Sequence, residues 1–170
     1  NGLSGYRLEQ RVDDAWVLID SEVQDETSAT TYTPSTDLAD GLYRFSVRAR
    51  NESGAVSQPI RFEFYVDNVA PVAPTVGSSD DLYALIDLPE FSWTSDEAFI
   101  DSFNWAVRDS GTTTGGTTAT GFAASSYTAP TPYPAGSYDF SVTVVDLAGN
   151  ESAPGLVTIT VADIPSVAAG

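Results

Sequence analysis

Along residues 41–50, Tyr43, Phe45 and Val47 alternate with Arg44, Ser46 and Arg48. A period of two sends one set of side chains to a buried face and the other to solvent, which is the pattern of a half-buried β-strand. The same alternation runs through residues 136–145, where Tyr138, Phe140 and Val142 hold the apolar positions. It recurs at Phe62, Phe64 and Val66, and at Val157, Ile159 and Val161. No segment sustains a helical period of 3.6 residues, so the chain is predicted to be all-β. Turn-forming residues separate the runs: 34–41, 51–54, 111–116, 130–136 and 148–150,.

The chain also matches itself. Tyr32 pairs with Tyr127, Gly41 with Gly136, Tyr43 with Tyr138, Phe45 with Phe140, Gly54 with Gly149 and Pro59 with Pro154, each at an offset of 95. That spacing is the size of one β-sandwich module. Upstream the match continues at an offset of 97, with Tyr6 answering Phe103, Leu8 answering Trp105 and Arg11 answering Arg108. The second copy has two further strand-like segments, around Val76 and around Phe91 and Trp93, with no counterpart in the first. The organisation expected is a partial module over residues 1–68, holding strands three to seven and lacking the first two. A complete module over 69–165 follows, and 166–170 form a tail or the start of the next linker. Val69 to Pro74, with two prolines, reads as a stiff connector,.

At Gly41-x-Tyr43-x-Phe45 and Gly136-x-Tyr138-x-Phe140 the sequence resembles the penultimate strand of bacterial immunoglobulin-like or fibronectin type III-like domains, with a tyrosine where the tyrosine corner falls,. Residues 66–71 and 145–154 resemble the repeats of large bacterial surface adhesins. The resemblance implies tandem Greek-key immunoglobulin-like β-sandwiches. It also implies a non-catalytic stalk, extender or adhesive segment at the cell surface, whose partners are neighbouring modules of the same or an identical chain. The incomplete first module leaves two readings open: the fragment boundary falls inside a module, or another chain donates the missing strands to build a fibre. A carbohydrate-binding accessory module, contacting host or matrix glycans, is the further alternative.

Composition narrows the chemistry. The 170 residues contain no Cys, His or Met, and all seven basic residues are arginines. Disulfides, ordinary zinc sites, Ser-His or Cys-His nucleophiles and lysine Schiff bases are thereby excluded. With 24 acids the net charge is −17, which repels phosphate backbones and anionic membranes and favours divalent cations. No apolar run approaches the ~20 residues needed to span a bilayer.

Trp93 and Trp105 are expected in the core. Trp16, in the polar stretch from Asp13 to Val17, reads either as an edge-strand packing residue or as an exposed platform for a sugar ring. Sandwich topology directs the loops holding Asp37, Asp40 and Asp67, at the exit of the first module, towards those holding Asp96, Glu97 and Asp146 at the entrance of the second. These six acids are either solvated separately or bridged by Ca²⁺, which takes about six to eight oxygen ligands. Asn51-Glu-Ser53 and Asn150-Glu-Ser152 match the glycosylation acceptor pattern and are expected to serve the turns instead,. The pairs Asp13-Asp14 and Asp80-Asp81 are expected in loops, with no cleft to make them a glycosidase pair.

Overall fold

The structure is a computed structural model, and it describes residues 2–22, 31–112 and 114–163. The tail expected from residue 166 lies outside them. The chain divides into two compact units, Asn1–Val69 and Ala70–Gly170, and all regular structure among the described residues is β-strand.

Unit 2 is a complete sandwich. Its strands are β5 (Thr75–Ser78), β6 (Leu82–Ala84), β7 (Glu90–Thr94), β8 (Ile100–Asp109), β9 (Thr117–Phe122), β10 (Ser126–Thr128), β11 (Gly136–Asp146) and β12 (Gly155–Ala162). They form a three-stranded sheet, β10-β7-β5, and a five-stranded sheet, β6-β12-β11-β8-β9. The alternation read from the sequence sets the core. Phe140, Val142 and Val144 of β11, Phe103, Trp105 and Val107 of β8, and Ile159 and Val161 of β12 face Phe91 and Trp93 of β7. Phe140 is fully buried. Its ring lies 4.2 Å from Phe91, 5.6 Å from Trp93 and 5.8 Å from Trp105, so both sheets close on one side chain.

Unit 1 has β1 (Gly2–Val12), β2 (Ala15–Glu22), β3 (Gly41–Arg50) and β4 (Ile60–Val66), in one sheet ordered β2-β1-β3-β4. The β1–β2 hairpin turns on Asp13 and Asp14, with φ of 46° and 63°. Both signs are positive, as a two-residue type I′ turn requires, and a short polar side chain tolerates that region. Strands three to seven make five, and the described residues of unit 1 hold four; Tyr32 matches Tyr127, which lies in β10 of unit 2. Residues 31–34 carry no strand pairing, and residues 23–30 lie outside the described set. Tyr32 still stacks on Phe45 at 5.3 Å, as Tyr127 stacks on Phe140 at 6.3 Å.

The upstream half of the self-match needs correction. Phe45 pairs with Leu8 and Phe140 with Val107; Val47 pairs with Tyr6 and Val142 with Trp105. The structural equivalents are therefore Tyr6 with Trp105 and Leu8 with Val107, two residues away from the alignment at 97. A slip of two keeps every side chain on its own face, so the hydrophobic pattern cannot register it.

The tyrosine corners are formed in both units. The Tyr43 hydroxyl donates to the Ala39 carbonyl at 2.8 Å and the Tyr138 hydroxyl to the Pro134 carbonyl at 3.0 Å. In each case the acceptor lies four residues upstream. Burial pushes both phenols above their ordinary pKa,.

In unit 1 no described residue answers Phe91 or Trp93, and the inward face is only partly covered. Leu8 and Tyr43 are buried, whereas Ile60 is 75% and Phe62 65% exposed. Truncating Phe140 to Ala is expected to destabilise unit 2 by roughly 3–5 kcal/mol, and truncating Phe62 to cost less than about 1 kcal/mol. Denaturant melts of the two variants check this, and equal losses would contradict it.

Candidate functional site

Four of the six acids singled out from the sequence accept hydrogen bonds from nearby N–H groups. The Asp40 carboxylate accepts the Asn68 backbone N–H at 2.8 Å and its side-chain amide at 2.7 Å, tying the loop before β3 to the end of β4. Asp67 accepts the Val69 N–H at 3.0 Å and Glu97 the Phe99 N–H at 2.9 Å. Asp37 and Asp96 are exposed. Asp146 is buried, and one oxygen takes the N–H groups of Ala148 and Asn150 while the other takes the Asn150 side chain. Burial pushes its pKa up. The hydrogen bonds from Asn150, Ala148 and Gly149 outweigh that push and hold it below the usual value,. Within either unit, no group of three carboxylates converges among the described residues.

The acceptor-pattern asparagines serve turns. The Asn51 side-chain carbonyl accepts the Ala55 N–H at 2.9 Å and the Ser53 hydroxyl at 2.7 Å. Gly54 and Gly149, equivalent at the offset of 95, close the two turns with φ of 84° and 91°, where a side chain would be strained,.

The chemistry that sequence reasoning missed lies on the outward face of unit 1. Alternation along β3 sends Arg44, Ser46, Arg48 and Arg50 away from the aromatic face. Across the ladder Ser46 pairs with Arg7 on β1 and with Arg61 on β4. Ser46 is thus a small, buried floor with an arginine on each of its four sides: Arg7 and Arg61 across the sheet, Arg44 and Arg48 along the strand. A groove of about 370 Å³ opens over it.

One carboxylate serves this group directly. Glu9 has a side chain only 9% exposed; it accepts Arg44 Nε at 3.1 Å and Nη2 at 2.9 Å on one oxygen, and Arg7 at 3.4 Å on the other. Arg44 also lies over the Trp16 ring at 4.2 Å, with Arg11 at 5.5 Å. Trp16 is therefore an edge-strand residue on β2 whose ring carries a guanidinium, an arrangement that stabilises by about 0.5–2 kcal/mol. Arg48 and Arg61 make no ion pair among the described residues and are exposed.

In unit 2, two sheets around an aromatic core, antiparallel except where β6 runs parallel to β12, with a tyrosine corner before the central strand, define a sandwich module of the immunoglobulin and fibronectin type III kind,. The sequence profile described as the bacterial Ig-like domain matches residues 74–162. The chain belongs to that family. Three solved structures are similar to the chain. Fibronectin(III)-like modules of Clostridium thermocellum CbhA are 19% identical with a TM-score of 0.46, the match covering 94% of this chain and 78% of that one. The FN1-FN3 domains of chicken CNTN1 are 16% identical at 0.47, over 95% and 57% of the two chains. Titin domains A168-A170 are 16% identical at 0.50, over 92% and 54%. The chain thus spans little more than half the length of the last two, and at these identities the likeness concerns the fold. No curated protein matches the chain in sequence. Among the described residues no helix is long and apolar enough to cross a membrane.

Proposed function

We propose that this chain is a structural segment of an extracellular or cell-surface protein, in which sandwich modules follow one another to extend or present an adhesive part. The observation that carries this reading is the repeat at 95 residues, which reproduces the tyrosine corner, the stacked core aromatics and the glycine turn in both units. The absence of Cys, His and Lys from the sequence supports a role without nucleophilic or acid–base catalysis,. A net charge of −17 keeps a long exposed polymer soluble,. Limited proteolysis of intact parent cells tests it. Antibody to residues 70–163 should detect a released fragment without lysis, and detection only after lysis would overturn the reading.

A second reading concerns how unit 1 is completed, and the exposure of Ile60 and Phe62 on its aromatic face favours it. An apolar face of this kind is covered when a further layer is added, either from the same polypeptide or by strand donation from another. Extending the chain upstream by roughly thirty coded residues, enough for two strands and their turns, separates the sources. Loss of hydrophobic-dye binding in the extended chain assigns the layer to the same polypeptide, and full retention assigns it to another.

A further inference from the structure

Six of the seven arginines lie in unit 1, and four of them ring Ser46 on a face that the sandwich does not need to be basic. Unit 2 supplies the internal comparison. Ser141 occupies the position of Ser46 there, and its four neighbours are Ala106 and Leu156 across the ladder, Asp139 and Thr143 along the strand. The same scaffold with the same serine floor is therefore built without a single cation at those places.

Charge pairing accounts for only part of the ring: Glu9 and Glu63 stand opposite Arg44 across the ladder, on its two sides. Like charges on neighbouring positions of one sheet face repel, and Glu9 directly engages only Arg44 and Arg7 of the four. Arg48 and Arg61 add positive charge with no carboxylate partner among the described residues. An anion seated over Ser46, between arginine positions on three neighbouring strands, would relieve that repulsion,. Glu9 pairs with both Arg44 and Arg7, and Arg44 also lies over the Trp16 ring.

We propose that this groove binds a compact oxyanion group, a sulfate, phosphate or carboxylate, through Arg7, Arg44, Arg48 and Arg61. Guanidinium forks match such groups with paired, charge-assisted hydrogen bonds. A groove of about 370 Å³ falls in the range of small-ligand sites and fits a short anionic saccharide or a free ion,. Extended polyanions are disfavoured, because a chain running beyond the ring meets the field of a molecule with net charge −17,.

Isothermal titration of the whole chain distinguishes the sources, with four probes: inorganic sulfate, inorganic phosphate, a disulfated disaccharide and its unsulfated parent. The disulfated disaccharide or an inorganic ion should bind, with an affinity that falls as salt rises, and the unsulfated parent should not. Binding by the ions alone identifies the free oxyanion as the ligand, and tighter binding of the disulfated disaccharide identifies the sugar-borne group. Arg48→Ala and Arg61→Ala, both at exposed positions, should each weaken binding about tenfold or more. Arg11→Ala, which removes an arginine outside the ring, should leave it within about twofold. No binding by any anionic probe at about 10 mM, on the order of 3 kcal/mol of binding free energy, overturns the proposal. So does equal loss in Arg11→Ala, which would reduce the effect to net charge.

Discussion

A strand whose residues alternate between apolar and polar has one face that water must be kept from, and everything else in this molecule depends on how that face is covered. In unit 2 the cover is complete. Phe140 of the five-stranded sheet is enclosed by Phe91 and Trp93 of the facing sheet and by Trp105 on its own. Burial of that cluster provides the main driving force for the fold, since apolar area removed from water contributes about 25 cal/mol per Å². In unit 1 Tyr43 and Phe45 stand where Tyr138 and Phe140 stand in unit 2, but Ile60 and Phe62 remain largely exposed because no described residue answers the facing sheet.

Once that face is fixed, the polar groups left behind need partners, and the loops supply them. Tyr43 and Tyr138 reach back four residues to a carbonyl, satisfying a backbone acceptor as the chain enters its central strand,. Asp146 and Asn51 take up the N–H groups of the following turns. These devices repeat at 95 residues because the backbone demands repeat. The outward face carries no such demand, so it is free to diverge: Ser46 is ringed by arginines where Ser141 is bordered by Ala106, Leu156, Asp139 and Thr143. Binding chemistry can differ between modules of one polymer without altering their cores.

Much of this was legible in the sequence, and the failures are physically instructive. The period-two pattern gave β3, β4, β11 and β12, and the offset of 95 marked the corner tyrosines and the glycine turns. The equivalence of β1 with β8 was misplaced by two residues, because an even slip preserves both faces and the hydrophobic pattern is blind to it. Loop position alone makes the carboxylates candidate cation ligands in the sequence. Sequence does not reveal that Asp40, Asp67, Glu97 and Asp146 are engaged by nearby N–H groups. The arginine ring passed unnoticed because seven arginines on so acidic a chain look like scattered counter-charges. A signal was present, in that Arg44 and Arg48 share the parity of Ser46 on one strand, while Arg7 and Arg61 sit on the strands to either side.

The central claim is that residues 70–163 constitute a module whose own two sheets satisfy its apolar face. It is tested most directly by producing that segment alone and following its thermal unfolding by near-ultraviolet circular dichroism of the buried tryptophans. The account predicts a cooperative transition and no binding of hydrophobic dye below it. A segment that lacks a cooperative transition, or that binds dye in its folded baseline, would contradict it.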